Sequence, residues 1–227
     1  MAIVPAQTRT SLLEKVARTE DMNLQLIEQK DAVGDNSIRV LEALAFCGLY
    51  SNIQEFSLTQ LDMVGQLFEL PMSKLSLKQL SFLRTSDSRS EHGVGDYHFI
   101  HLTFQEYFAA RYFVRQWKAG QNLTCLNLAK GNVDGRLTTI EFIKKGKYNP
   151  GYDILWRFVT GLLDAEGDER LCQLFQVIED KPRVLLGPVH QWLVMHCLSK
   201  LVASAEMPDF AQLRGKFRRP IETVANV

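Results

Sequence analysis

Apolar residues recur at helical spacing in the segments that follow Asn36 and Ser57. This period predicts two helices, each with one apolar side. The apolar positions of the first are Ile38, Leu41, Ala45 and Gly48, with Val40, Leu44 and Cys47 beside them; those of the second are Leu58, Leu61, Val64 and Phe68. Ser57 and Gln60 match a capping box, in which each side chain bonds the backbone amide of the other residue. The second helix is therefore predicted to begin just after Ser57.

A small sheet is predicted after these helices. Pro71 interrupts the helical pattern, and a third short helix is predicted over residues 73–80. Residues 81–85 ("SFLRT") and the stretch 97–102, which is rich in β-branched and aromatic residues, are predicted strands joined by a polar loop. Three helices followed by a two-stranded hairpin is the order of a winged helix, which we assign to residues 36–101.

Six aromatic residues are concentrated in one predicted helix, residues 104–119. Thr103 and Glu106 match a second capping box at its start, and Gly120 can end it in a left-handed turn. The aromatic residues, which cover most of the helix circumference, are Phe104, Tyr107, Phe108, Tyr112, Phe113 and Trp117. The polar stripe that remains consists of Arg111, Arg115 and Lys118. A helix that is apolar nearly all round is buried on several sides, so we expect two subdomains to pack on it.

The chain after this helix is predicted to be helical throughout. Candidate helices are residues 137–147, the segment opened by Asn149-Pro150, residues 168–180, the segment opened by Gly187-Pro188, and a last short helix at Pro208-Asp209. The two richest in apolar residues start roughly 40 residues apart, which is the spacing of HEAT-like helical hairpins. The predicted fold is mainly α, with a helical lead-in or linker (residues 1–35), the winged helix (36–101) and a helical, HEAT-like array (102–227).

Composition limits the function without indicating a specific chemistry. The chain has 26 basic and 26 acidic side chains, so no global field favours nucleic acid or an anionic membrane. No apolar run approaches the ~20 residues that span a bilayer, and the N-terminus lacks the pattern of a secretion signal. The four cysteines form no CxxC pair, which favours reduced thiols and a cytoplasmic location.

Catalytic and metal-binding patterns are not found. His98 and His101 are three residues apart on a predicted strand, so they point to opposite faces and cannot share a metal. His196-Cys197 is better interpreted as core filling on a helix than as a ligand pair. The sequence also has no G-x-S-x-G elbow and no HExxH motif. The sequence therefore predicts no catalytic residue and no metal ligand.

The segment "YHFIHLTFQEYFAARYF", which follows the winged-helix pattern and precedes "KYNPGYDILWRFVTGLLD", resembles the C-terminal part of a NACHT module. NACHT proteins are STAND-type signalling NTPases, a group that includes the NOD-like receptors. In that family the winged helix ends in a strand that carries a histidine, followed by a helix of the form F-Q-E-[YF]-[FL]-A-A. Residues 104–110 match this form without a gap, and His101 occupies the histidine position. The resemblance covers roughly residues 36–204.

The resemblance implies a regulatory switch rather than a catalyst. The phosphate-binding loop of a NACHT ATPase, G-x-x-x-x-G-K-[ST], is missing from this sequence. The chain is expected to be either a fragment of a larger receptor or a short gene product that kept only the regulatory arm. Its expected partners are the NTPase core of the same parent protein and other protomers or proteins that bind helical surfaces, with no DNA and no membrane. ADP or ATP is implied only for an intact parent.

Two interpretations of His101 remain open. It is either a structural histidine, hydrogen-bonded where strand becomes helix, or, as the resemblance implies, a cofactor-binding residue that contacts the terminal phosphate of bound ADP. The neighbouring helix N-terminus favours an anion at this place. An imidazole can also donate to a phosphate oxygen and release it when the nucleotide is exchanged.

Two other functions compete with the regulatory one. A winged helix that binds DNA needs a basic face, but residues 36–101 carry five Lys or Arg against seven Asp or Glu. The third predicted helix offers only Lys74 and Lys78. The other alternative is a helical-repeat adaptor with no link to nucleotide. It differs from the regulatory arm mainly in that His101 never meets a phosphate.

Overall fold

The computed structural model describes residues 35–70, 80–85, 96–167, 169–181, 187–202, 208, 210–213 and 215. Within them the chain is mainly helical with a small antiparallel sheet, as predicted. Residues from Arg39 onward form one compact unit, and of the preceding unit, Met1–Ile38, only the start of the first helix is described. The predicted lead-in over residues 1–35 lies outside the described residues except for Asp35.

The first part of the described chain combines two helices with a small sheet. Its elements are helix α1 (Asp35–Ser51), strand β1 (Glu55–Phe56), helix α2 (Leu58–Phe68), strand β2 (Leu83–Thr85) and strand β3 (Tyr97–Phe99). The three strands form an antiparallel sheet with β3 between β1 and β2. The predicted pairing of β2 with β3 is confirmed, and β1 adds a strand that the sequence pattern did not indicate. The third predicted helix, residues 73–80, lies outside the described residues except for Leu80.

Two predicted helix ends are confirmed. The Ser57 hydroxyl accepts a hydrogen bond from the Gln60 amide, and Gln60 Oε1 accepts one from the Ser57 amide, which completes the capping box of α2. The aromatic helix α3 (Leu102–Ala119) ends at Gly120, whose φ of 63° is left-handed. Glycine adopts this conformation without the steric cost that a Cβ atom brings.

The sequence pattern predicted only helices after α3, and this prediction is wrong for residues 123–137. Strands β4 (Leu123–Asn127) and β5 (Asn132–Leu137) form an antiparallel hairpin there. In β4 the buried Leu123 and Cys125 lie two residues apart, which is the period of a strand and not of a helix. A β-bulge opens beside Cys125, opposite Gly135, whose φ of 130° is rarely adopted by other residues.

Further helical segments complete the described array. They are α4 (Thr139–Gly146), a 3₁₀ turn (Pro150–Tyr152) continuous with α5 (Asp153–Ala165), α6 (Arg170–Glu179) and α7 (Gly187–Leu198). Thr138 caps α4 through a capping box with Glu141. Helix α5 packs along α3 and also contacts α6 and α7. Residues 208 and 210–213 are helical, in agreement with the predicted last helix, and Phe210 is buried against Phe175 of α6.

An aromatic core connects the elements before and after His101. Phe46 of α1 contacts Tyr112 of α3 and Phe142 of α4, with ring centroids 4.6 and 5.5 Å apart. Phe82, just before β2, contacts Phe108 of α3 at 5.2 Å. The six aromatic residues of α3 are each less than a tenth exposed, which confirms the predicted burial of this helix. The elements before and after His101 therefore share one hydrophobic core.

Candidate functional site

His101 lies between strand β3 and helix α3 and is the N-cap residue of that helix. Its backbone is extended (φ −152°, ψ 143°), and its Nδ1 accepts a hydrogen bond from the Thr103 amide at 3.1 Å. The predicted cap at Thr103 is therefore wrong. The helix begins at Leu102, so Thr103 is already inside the first turn and the imidazole satisfies its amide. A ring nitrogen thus takes the role that a Ser, Thr, Asp or Asn oxygen usually has.

This hydrogen bond defines the tautomer of the neutral imidazole. Because Nδ1 accepts from an amide, the neutral ring carries its proton on Nε2. The His101 side chain is exposed, and its Nε2–H has no hydrogen-bond partner within the described residues. The two interpretations of His101 are compatible, because capping uses Nδ1 and a ligand contact would use Nε2.

The surroundings of His101 are apolar and lie at the positive end of a helix. Ile100 and Leu102, its neighbours in sequence, are 43% and 42% exposed. The first-turn amides of α3 add a partial positive charge. The junction therefore combines one outward N–H donor with apolar contact area.

The polar stripe of α3 pairs with acidic residues of neighbouring elements. Glu42 of α1 is only 3% exposed, and its carboxylate accepts from Arg111 Nε at 3.2 Å and lies 2.8 Å from Arg115 Nη2. Lys118 pairs with Glu166, the residue after α5. Helix α3 is thereby bonded to α1 and to the end of α5. The sequence pattern predicted the stripe but not its partners.

Two histidines in the array make contacts that the sequence pattern did not predict. His190 of α7 lies with Nε2 2.6 Å from Glu179 Oε1 and with Nδ1 2.9 Å from the Tyr148 hydroxyl. His196 Nδ1 lies 2.8 Å from Asp153 Oδ1 in the first turn of α5. These contacts join α7 to α6 and to α5. They support the packing of the array, since each histidine is already held by a carboxylate.

The cysteines are free, and three of them are buried. Burial raises the pKa of the Cys125 thiol to about 11 and that of Cys197 to about 12, and it also raises the pKa of Cys47. These thiols stay protonated near neutral pH, so they do not supply a reactive thiolate. Among the described residues, no group of three or more His, Cys, Asp or Glu side chains could hold a metal ion.

In the part of the chain that the structure describes, no helix combines the length and the apolar character needed to cross a bilayer. No protein-family model matches the chain, and a comparison with curated proteins gives no match either. The resemblance to NACHT proteins therefore rests on the sequence pattern of residues 36–204 alone, and the function drawn from it is a proposal.

Proposed function

We propose that this chain is the regulatory arm of a STAND-type signalling NTPase of the NACHT group, built from a winged helix and a helical array. In this role it is a nucleotide-dependent switch and an interaction scaffold rather than a catalyst. The observation that carries the proposal is the exposed Nε2–H donor of His101 at the N-terminus of α3.

The chemistry of this donor suits the terminal phosphate of ADP. A neutral imidazole donates one hydrogen bond to a phosphate oxygen without the fixed charge of lysine or arginine, so the contact is readily released. The first-turn amides of α3 add a favourable field for an anion. The exposed Ile100 and Leu102 supply apolar contact area for the NTPase core, which holds the rest of the nucleotide in this proposal.

The switch has two states. With ADP bound, the winged helix lies over the NTPase core and His101 contacts the terminal phosphate. Exchange for ATP breaks this contact, the arm rotates, and the molecules self-associate in the cytoplasm. Helix α3 is suited to transmit the rotation because it is attached to both neighbours. Ion pairs with Glu42 connect it to α1, and the packing of Phe113 on Trp156 connects it to α5.

The test begins with the gene. A G-x-x-x-x-G-K-[ST] loop encoded in the same reading frame, upstream of the codon for Met1, would supply the NTPase core that the proposal requires. ADP affinity and oligomer size are then measured for that full-length protein as wild type, His101→Leu and His101→Ser. Leucine removes both ring nitrogens. Serine keeps an oxygen that can cap the helix but is too short to reach the phosphate.

Both variants are expected to bind ADP more weakly and to form larger oligomers. Only the leucine variant is expected to lose stability, by about 1 kcal/mol, because it alone removes the cap. Wild-type ADP affinity in the serine variant would restrict His101 to capping and overturn the proposal. A reading frame without a phosphate-binding loop would do the same and favour the helical adaptor.

A further inference from the structure

A cavity of about 300 Å³ lies between the β4–β5 hairpin, helix α4 and the 3₁₀ turn before α5. This volume is at the lower end of the range of small-molecule sites, about 300–1,000 Å³. Tyr50, Phe142 and Tyr152 are among the residues that line it, and the Phe142 and Tyr152 rings are stacked with centroids 5.4 Å apart. An aromatic wall of this kind suits a small ligand with a planar apolar body.

Tyr152 and Lys145 of the cavity wall have no hydrogen-bond or ion-pair partner within the described residues, and Asn149 uses only its oxygen. Tyr152 is only 8% exposed, yet its hydroxyl makes no hydrogen bond there. Lys145 is exposed and makes no ion pair or hydrogen bond, whereas the Nζ of its neighbour Lys144 lies 2.7 Å from Asp180 Oδ2. Asn149 Oδ1 accepts from a backbone amide of the next turn, which leaves its Nδ2–H donors.

These groups are donors, and together they suit an anion. The Tyr152 ring is buried, but its hydroxyl is open to the cavity, so it can donate to a bound ligand. Burial raises the pKa of Tyr152 to about 12, so its hydroxyl keeps its proton and can donate. Lys145 adds a positive charge, and Asn149 adds amide donors.

Asp134 also lines the cavity and limits the size of the negative charge that a ligand can carry. Its carboxylate already accepts hydrogen bonds from Asn127, Asn132 and Tyr50. Its negative charge remains and opposes the binding of an anion with more than one charge. A singly charged carboxylate therefore fits better than a phosphate, which carries about −1.5 to −2 charges near neutral pH.

We propose that this cavity binds a small aromatic carboxylate. The ring of the ligand lies against Phe142 and Tyr152, and its carboxylate accepts hydrogen bonds from Lys145 Nζ, Asn149 Nδ2 and the Tyr152 hydroxyl. The site is independent of His101 and of the regulatory function proposed above.

The test measures binding of three probes of one shape to the full chain by calorimetry and ligand-observed NMR. The probes are phenylacetate, the neutral 2-phenylethanol and the cation phenethylamine, with inorganic phosphate as a fourth arm. Three variants are compared with wild type. Lys145→Met removes the proposed charge, Tyr152→Phe removes one hydroxyl and keeps the ring, and Lys144→Met removes the same charge one residue away, outside the cavity lining.

Phenylacetate is expected to bind saturably at one site and more tightly than the other probes. Lys145→Met should weaken this binding about tenfold or more, the usual effect of losing a hydrogen bond to a charged group. Tyr152→Phe should weaken it severalfold, and Lys144→Met should leave it unchanged. The proposal is overturned by an absence of saturable binding or by equal affinity in the Lys145→Met variant. It is also overturned if phenethylamine or phosphate binds more tightly than phenylacetate.

Discussion

At the residue scale, a single buried carboxylate balances two arginines. Glu42 pairs with Arg111 and Arg115 across α1 and α3 and is only 3% exposed. Glu42→Gln keeps the volume and one acceptor oxygen but leaves both guanidinium groups without a countercharge. Loss of one partner of a fully buried pair costs about 3–5 kcal/mol. Both arginine side chains are about a third exposed, so we expect a smaller loss of about 1–3 kcal/mol after solvent screening.

The matched control is Glu166→Gln, because Glu166 pairs with Lys118 at the surface. Exposed pairs contribute about 0–1 kcal/mol, so this variant should unfold close to wild type. Urea unfolding of both variants at pH 7 measures the difference in free energy. Equal midpoints for Glu42→Gln and Glu166→Gln would show that the buried carboxylate does not hold α3 to α1.

Single residues also show where sequence patterns stop being informative. The motif identifies His101 as a candidate site residue but does not indicate that it caps α3. The sequence instead predicts Thr103 as the N-cap, because a Thr followed three residues later by Glu matches the capping-box pattern. The pattern counts side-chain oxygens and does not consider an imidazole nitrogen as acceptor. Glu42 lies within an apolar helix pattern, and its partners are 69 and 73 residues away. Such a distant pairing leaves no local signal.

At the element scale, α3 is the helix on which the other elements pack. Phe108 is 2% exposed and contacts Phe82 and Phe99, with ring centroids 5.2 and 6.2 Å away. Phe108→Ala leaves a cavity and should cost about 3–5 kcal/mol. Leu102→Ala, in the first turn of the same helix, truncates a side chain that is 42% exposed and should change stability little. A thermal midpoint of Phe108→Ala within a degree or two of wild type would mean that α3 is not central.

The β4–β5 hairpin depends on a backbone conformation that can be tested with two glycines. Gly135 has a φ of 130°, and a Cβ atom there would meet open space. Gly135→Ala should therefore destabilise the protein by about 1–3 kcal/mol through backbone strain alone. Gly161 lies inside α5, and a Cβ atom there would make only an ordinary contact, 3.9 Å from Lys200 Cβ. Gly161→Ala should stabilise by about 0.5–1 kcal/mol.

Chemical unfolding of both glycine variants gives the two changes directly. The changes in unfolding free energy are expected to have opposite signs. The added methyl group strains the backbone at Gly135, whereas it favours the helical backbone at Gly161. A Gly135→Ala variant as stable as wild type would contradict the left-handed conformation at the bulge.

Elements in which apolar residues recur with one period over many positions were predictable from the sequence, and short elements were not. Helix α3 has six aromatic residues at helical spacing and a glycine at its end, so both its C-terminal end and its burial followed from the sequence. Strand β1 has two residues, too few to show any period. The hairpin was missed because the strand period in β4 covers only five residues. Gly131 in the turn and Gly135 within β5 were its strongest signal.

At the scale of the whole molecule, the sequence predicts that the chain has no nucleotide-hydrolysing activity by itself. It lacks the phosphate-binding loop and its lysine, which position the phosphates in a NACHT ATPase. Phosphate release from ATP or GTP by the purified chain should equal the blank, and the chain should retain no nucleotide after gel filtration. Turnover that is abolished by a substitution within the chain would refute this expectation.

The shared aromatic core predicts that the elements before His101 and the helical array after it unfold together. Phe46 and Phe82 precede His101 in sequence but pack on Tyr112, Phe142 and Phe108 of the array. Separating the two parts would expose these rings to water, and each buried aromatic side chain contributes ~1.5–3 kcal/mol by leaving water. Amides of β3 and of α5 should therefore exchange hydrogen with the same free energy of opening, close to that of global unfolding.

Native-state hydrogen exchange at increasing urea concentration measures both free energies in one sample. Phe46→Ala is the informative variant, because it removes contacts to both α3 and α4 from a residue of α1. It should lower the opening free energy of β3 and α5 equally, by about 3–5 kcal/mol. If the amides of β3 instead open at a lower free energy than those of α5, the boundary at residues 101/102 separates two domains that unfold independently. Helix α3 would then not couple the two parts rigidly, and the proposed switch would lose this support.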